Sequence, residues 1–194
     1  MIKKQKLELT WIGKENWPKL EPRILLEDPA KSYHAAQRVS DADIFDNRLI
    51  FGDNLLALKA LEAEFTGKVK CVYIDPPFNT DQAFEHYDDS VEHSVWLSLM
   101  RDRLSLIHRL LHKSGTLFVH IDDSELAYLM ALLDEIFGRS NKLYVVTFKQ
   151  GSATGHKAIN PGCVTTTNFV LLYAKDKAGF YPVFTDTWVK AKNF

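Results

Sequence analysis

A disulfide framework, a membrane span and charge of one dominant sign are all missing from this sequence, and each absence narrows its class. Only two cysteines occur, Cys71 and Cys163. That is too few for a stapled secreted scaffold, so the setting they imply is reducing and cytoplasmic. No apolar run approaches the roughly 18 residues a membrane span needs, and the Lys-rich start has no apolar stretch behind it, so no export signal is expected. Lys and Arg number 24 against 25 Asp and Glu, a net charge of −1. The whole-chain field therefore gives no argument for a polyanionic partner, and any basic surface must be local or lie beyond these residues. The spacing G-x-x-x-x-G-K-[ST] is absent, which leaves nucleotide hydrolysis unsupported. No internal repeat or low-complexity tract is present.

Apolar residues make up 46 % of the 194, which excludes disorder and allows a sizeable core in one domain or part of a larger one. Residues 1–47 read as an irregular arm: Pro18, Pro22 and Pro29 recur, charges alternate, and periodicity is weak. From Arg48 the texture changes to a strand (48–52), a helix (54–65) and a strand (69–74). A polar loop with Phe84, Glu85, His86, Tyr87, Asp88 and Asp89 follows, longer than most strand–helix connections. A helix is predicted from Ser94 to about Lys113, with Trp96, Leu97, Met100, Leu104, Ile107, Leu110 and Leu111 at helical spacing and Ser114-Gly115 as its end. Then come a strand (116–121), a helix (125–137) capped by Asp123-Ser124 and closed by Gly138, and strands at 143–149 and 168–174. This alternation predicts an α/β fold with a largely parallel sheet and helices on both faces.

The most informative segment is Asp75-Pro76-Pro77-Phe78. The run from Val69 to Ile74 is apolar at nearly every position and reads as a strand buried on both faces. It stops at a carboxylate and two prolines, neither of which can donate to a ladder. The result is a stiff turn at the strand's carboxyl end, where open α/β sheets place their ligands. An acceptor, a rigid carbonyl and an aromatic ring then lie within four residues. Asp-Pro alone would be an ordinary strand-ending turn; the full run of four after a continuous apolar strand is much rarer.

The sequence here resembles the DNA amino-methyltransferases. Asp75-Pro76-Pro77-Phe78-Asn79-Thr80 looks like their D-P-P-Y/F signature, and the segment from Leu49 through Gly52-Asp53-Asn54 to Leu58 resembles their G-D-N-L-x-x-L segment. Trp96 to Met100, Phe118 to Asp123 and Asn168 to Lys175 follow in the family's order, so the resemblance spans about residues 48–176. The nearest group is the permuted class typified by modification subunits of type III restriction systems. The resemblance implies a Rossmann-like fold, S-adenosylmethionine as methyl donor and the N6 amine of a flipped adenine in DNA as acceptor. A restriction subunit or a second copy of the chain is an implied partner. Asp rather than Ser at position 75 favours adenine over the N4 amine of cytosine. A non-catalytic DNA-binding or assembly module is the reading from another class.

The implied catalytic residues are Asp75, Pro76, Pro77 and Phe78. An exocyclic amine is a poor nucleophile because its lone pair is delocalised into the ring. The Asp75 carboxylate and the Pro76 carbonyl, each accepting one N–H, would favour the localised pair by preorganised electrostatics rather than proton abstraction. Phe78 offers a face for the base, worth about 1–3 kcal/mol by stacking. Gly52, Asp53 and Asn54 are the implied cofactor-binding residues, although by sequence alone Asp53 reads first as a helix cap. His120-Ile121-Asp122-Asp123, at the next strand end, could border the pocket, although Asp122 or Asp123 reads first as the cap of the next helix. His108 and His112, four apart on a helix, lack a third ligand, so no metal is expected. Arg101, Arg103, Arg109 and Lys113 read as a solvated helix face. The loop from Lys149 to Lys157 could touch a DNA backbone or be plain solvated loop.

One family feature is absent: no Gly-rich F-x-G-x-G turn, which takes the donor's methionine part, occurs in these residues. In permuted members it follows the D-P-P-Y half and a target-recognition segment. The resemblance therefore implies an amino-terminal portion, with residues 177–194 opening the next segment, with exposed edges and weak donor binding for the chain alone.

Overall fold

The computed structural model describes residues 8–33, 40–41, 46–79, 83–84, 87–88, 92–151 and 166–181. Cys163, most of the Lys149–Lys157 loop, Glu85, His86, Asp89 and the segment after Tyr181 lie outside the described residues. Nine strands and α-helices organise the described residues. They are α1 (Asn54–Phe65), β1 (Val69–Ile74), the two-residue strands β2 (Ala83–Phe84) and β3 (Tyr87–Asp88), α2 (His93–Leu110), β4 (Leu111–Ile121), α3 (Leu126–Leu133), β5 (Lys142–Lys149) and β6 (Thr167–Ala174). β2 and β3 form an antiparallel pair inside the polar loop after the Asp-Pro-Pro corner.

The main sheet has the order β1-β4-β6-β5. β1 pairs with β4 in parallel, and β6 is antiparallel to both β4 and β5. Three strands thus run one way, as strand–helix alternation predicts. β6 alone runs against them, because it returns from β5 and inserts between β5 and β4. A run of strand residues does not reveal its direction, so this reversal was not in the sequence pattern.

The period-2 rule sorts the sheet's two faces. Leu117, Val119 and Ile121 of β4 and Leu171 and Tyr173 of β6 are buried in one cluster with Trp96, Leu97, Met100, Leu104 and Ile107 of α2 and Leu129, Leu132 and Leu133 of α3. Both α2 and α3 therefore cover the same face. On the other face, Phe118 and His120 are only half-buried and Tyr73 is exposed. The helix after β4 runs on past Leu133 as a wider turn at Asp134–Gly138. Burial and a 2.7 Å hydrogen bond to Asp134 push the Tyr173 hydroxyl above its ordinary pKa, so Tyr173 stays neutral in the core.

Three local expectations are corrected. Residues 48–52 form no strand, and Leu49 and Phe51 are fully exposed, because no described strand lies beside them to accept a ladder. The second helix stops at Leu110, and β4 begins at once at Leu111. Gly115 is therefore inside β4, where backbone crowds it: a Cβ there would lie 2.7 Å from the Val69 carbonyl oxygen and 2.9 Å from that of His112. The cap position of α3 is Glu125 rather than Asp123-Ser124. Asp122 instead closes the preceding turn, accepting from the Ser124 N–H at 2.9 Å and the Ser124 hydroxyl at 3.2 Å.

The described part of the arm, residues 8–33, holds turns without helix or strand. Side chains of the folded body pin it. The buried Arg101 guanidinium lies 4.0 Å from the Trp17 ring centroid and donates to the carbonyls of Asn16, at 2.8 Å, and Lys14. Lys14 in turn pairs with Glu8 at 2.9 Å and Glu135 at 3.1 Å.

Candidate active site

β1 ends where its ladder must, at Asp75-Pro76-Pro77. It is not buried on both faces as its apolar run predicts: it stands last in the described sheet order, with Lys70, Cys71 and Tyr73 exposed. The turn stands at the carboxyl end of the parallel pair β1 and β4, the edge at which open α/β sheets bind ligands. Asp75 and the next two prolines border a cavity of about 560 Å³, as do Gly52, Asp53 and Asn54. The two sequence-predicted constellations, twenty residues apart, therefore face one space. Val72 and Ile74 of β1, Leu58 of α1, and Leu99, Met100 and Arg103 of α2 supply further walls. An apolar chamber with a few convergent polar groups at its mouth is the ordinary composition of a small-molecule site.

Asp75 is 60 % exposed at its side chain, and one carboxylate oxygen, Oδ1, lies 3.0 Å from Nδ1 of His120. It does not point into packed hydrocarbon. No described residue donates to the Pro76 carbonyl. The Pro77 carbonyl, by contrast, accepts from the indole N–H of the fully buried Trp96 at 2.8 Å, which ties the corner to the core.

Phe78 sits differently from the expected exposed ring. It is half-buried against the core, edge-on to the His120 ring with centroids 5.0 Å apart, and outside the lining of the 560 Å³ cavity. Asn79 then turns the chain with φ of 58°, a left-handed conformation Asn tolerates better than most residues. Its amide donates to Oε1 of Glu125 at 2.8 Å. Glu125 is only 4 % exposed and also receives Nδ1 of His93 at 2.9 Å. The corner is thus braced at three alternate residues, by His120 on Asp75, Trp96 on Pro77 and Glu125 on Asn79.

At the second constellation Gly52 takes φ of +143°, a backbone state side chains rarely adopt, with open space where a Cβ would be. Asp53 is the cap of α1: its Oδ1 accepts from the N–H groups of Leu55, at 2.9 Å, and Leu56, at 3.2 Å. Oδ2 faces Arg103 at 3.4 Å, and Arg103 also donates to the Asn54 side chain at 2.5 Å. Arg103 is therefore part of this mouth rather than of a solvated face. Arg101 is buried against the arm, while Arg109 fits the solvated reading, exposed and paired with Glu62 at 2.8 Å.

His108 and His112 do not converge. His108 accepts from the Lys175 ammonium at 3.0 Å, and burial followed by that neighbouring charge lowers its pKa from 6.5 to about 4. His112 instead meets Lys70 at 2.9 Å and Ser114 at 3.0 Å. Among the described residues no group of three His, Cys, Asp or Glu is placed to hold a metal. No described helix is long and apolar enough to cross a membrane.

Sequence reasoning missed Trp96, Glu125, Asn168 and Arg103 as parts of this site. Register was the available signal for Asn168, through the pairing of β6 with β4. The other three reach in from helices whose docking angle no local pattern encodes.

Comparison with known proteins gives a consistent result. The family described as DNA methylase matches residues 69–193. A probable type III restriction-modification enzyme HindVI Mod subunit of Haemophilus influenzae is 40% identical over 157 residues, which is 79% of this chain and 21% of that protein. The type II methyltransferase M.EcaI of Enterobacter cloacae is 37% identical over 140 residues, 69% of this chain and 30% of that one. Among solved structures, a complex of M1.HpyAVI with SAM superposes at a TM-score of 0.48 and 16% identity, over 74% of this chain and 60% of that chain. The chain thus spans well under half the length of both curated relatives.

Proposed function

The chain belongs to the DNA methylase family, and from that membership we propose that it carries the amine-gripping part of a site-specific DNA methyltransferase. The substrate is the N6 amine of an adenine flipped out of DNA, the donor is S-adenosylmethionine, and the setting is a cytoplasmic restriction-modification system with a restriction subunit or a second copy as partner. One observation carries this reading: Asp75, at the end of β1, borders the same cavity as Gly52-Asp53-Asn54.

The chemistry follows from what the corner can offer an aromatic amine. One N–H points to the Asp75 carboxylate, half-exposed and anchored on its Oδ1 side. The other points to the Pro76 carbonyl, held stiff by consecutive proline rings and by the grip of Trp96 on the next carbonyl. Two acceptors on one nitrogen favour the geometry with its lone pair localised. Phe78 and His120 pack edge to face behind the corner, outside the cavity lining, and hold it from that side. Extruding the base costs a few kcal/mol, which stacking in such a pocket offsets in part. After alkylation the nitrogen is cationic and must shed a proton, for which the Asp75 carboxylate is the placed acceptor.

S-adenosylmethionine, when bound, supplies a methyl group on a positively charged sulfur. Its adenosine part needs apolar walls and a carboxylate for hydroxyl or amino groups. Leu58, Leu99 and Met100 are such walls, and Asp53 is such a carboxylate at the mouth. On that chemistry the residues present fit the group.

Asp75→Ala in the whole protein encoded with this chain tests the proposal. Methylation of genomic DNA, read as N6-methyladenine by nucleoside analysis, is expected in the unaltered protein and lost in the variant. Retained methylation in Asp75→Ala would sink it, and N4-methylcytosine as the product would redirect it.

A further inference from the structure

By sequence His120 has a place at a strand end that could border the pocket but no role there, and the sheet register brings it to the Asp-Pro-Pro corner. β1 and β4 pair in parallel with Ile74 opposite Val119. One step further along both strands sets Asp75 beside His120 on the same face. On the next strand, β6 pairs antiparallel with β4, Ile121 opposite Phe169. This puts Asn168 diagonally across from His120, within reach on that face. The side chains meet as the register demands. His120 Nδ1 is 3.0 Å from Asp75 Oδ1, and His120 Nε2 is 2.9 Å from the amide nitrogen of Asn168.

The two ends of the ring fix each other. A carboxylate only accepts, so Nδ1 must carry the proton at this 3.0 Å contact. The Asn168 amide nitrogen only donates, so Nε2 is the acceptor and Nδ1 is the nitrogen turned to Asp75. Nothing loosens the arrangement from the sides. Asn168 is 2 % exposed, His120 is 15 % exposed, and the imidazole lies between Phe78, at 5.0 Å, and Phe148, at 5.3 Å between centroids. Asp75 itself is mostly in solvent. Without this contact, its carboxylate would rotate among several orientations, and ordering it would fall to the substrate complex.

Resting on the methyltransferase reading above, we propose that His120 is a positioning residue: its Nδ1–H, held by Asn168, fixes one oxygen of Asp75 so that the other is aimed at the target amine. Both ring nitrogens are committed, so the imidazole is a clamp and not the acceptor of the proton that the alkylated amine releases. The arrangement inverts the familiar pairing in which a buried carboxylate orients a catalytic histidine.

Three substitutions in the whole protein separate this from a packing role. In His120→Asn the amide nitrogen falls where Nδ1 was and still donates to Asp75. In His120→Gln the amide falls nearer Nε2 and meets Asn168 instead. His120→Leu keeps bulk and loses both bonds. A hydrogen bond to a charged group is worth about 1.5–3 kcal/mol, which corresponds to roughly 10- to 150-fold in rate. The expected result is that kcat falls by about that factor in the Gln and Leu variants, stays within about threefold of the unaltered protein in the Asn variant, and that KM for DNA hardly moves in any of them.

Donor binding and thermal unfolding, measured in parallel, show which variants are folded; the Gln and Asn variants differ by one methylene and carry the comparison if Leu does not fold. An Asn variant as slow as the Gln variant overturns the proposal, as does a Gln variant as fast as the unaltered protein. The foundation is checked separately. A protein whose Asp75→Ala form is inactive but whose His120→Gln form is normal rejects only the clamp. An unaltered protein that methylates no DNA rejects the reading beneath it and the clamp together.

Discussion

Asp53 carries two duties in this structure, and a pair of substitutions can pull them apart. Its Oδ1 caps α1 through the Leu55 and Leu56 N–H groups, while Oδ2 faces the cavity mouth beside Arg103. Ser can cap a helix but brings no carboxylate, whereas Ala can do neither. Loss of the cap in Asp53→Ala should cost about 1 kcal/mol, within the usual 0.5–2 for such caps. Asp53→Ser should restore nearly all of it. Donor binding should respond otherwise. If the carboxylate accepts from a hydroxyl or amino group of S-adenosylmethionine, its loss removes a charged hydrogen bond worth about 1.5–3 kcal/mol, or roughly 10- to 150-fold in Kd. Both variants should then bind the donor equally poorly, despite differing in stability. Denaturant unfolding and calorimetric titration of the whole protein read the two effects independently. If Asp53→Ser binds like the unaltered protein, Asp53 is a cap and nothing more, and the cofactor assignment of Gly52-Asp53-Asn54 falls.

Two further perturbations test how the corner and the core are held. Trp96→Phe deletes the donor on the Pro77 carbonyl and part of a fully buried ring; about 1 kcal/mol for the bond plus a cavity term gives roughly 2–3 kcal/mol of lost stability, and a loss under 0.5 kcal/mol in denaturant titration would show that the corner does not depend on this tie. His108, whose pKa falls from 6.5 to about 4 because it is buried beside Lys175, binds its proton less readily folded than unfolded. Its contribution is therefore complete above pH 6.5, declines as pH falls toward 4, and is absent below that. Because the ring is only half-buried, the discounted magnitude is about 1–2 kcal/mol. Unfolding followed from pH 7 to 4 should show this slope, and His108→Gln, which still accepts from Lys175, should flatten it; an unchanged slope rejects the assignment.

Much of this architecture was legible because it rests on local rules. The apolar run of β1, the helical spacing of α2 and the prolines at 76 and 77 each name their element without help from the rest of the chain. Residues 48–52 show where such rules stop. Their pattern is that of a strand, yet a strand needs a neighbour for its N–H and C=O groups, and no described strand stands beside Leu49 to Phe51. Likewise, Arg101 and Arg103 sit two apart on α2 and look alike in sequence. One is sealed under Trp17 and the other reaches the cavity mouth, a difference set by where the arm and α1 dock.

The candidate site divides along the same line. Asp75 and its prolines were recognisable because a carboxylate and a double proline at a strand end leave few alternatives. What makes that carboxylate useful is less visible, since it comes from residues 21 to 93 positions away in sequence. Trp96, His120, Glu125 and Asn168 each read alone as ordinary helix, strand or turn residues. Extending two observed registers by one or two residues is enough to bring His120 and Asn168 to Asp75. Strand pairing is thus the level at which this chain's chemistry is encoded. A substitution that shifted β6 by one residue against β4 would turn Asn168 to the core face and release His120 while leaving every residue of the Asp-Pro-Pro corner unchanged.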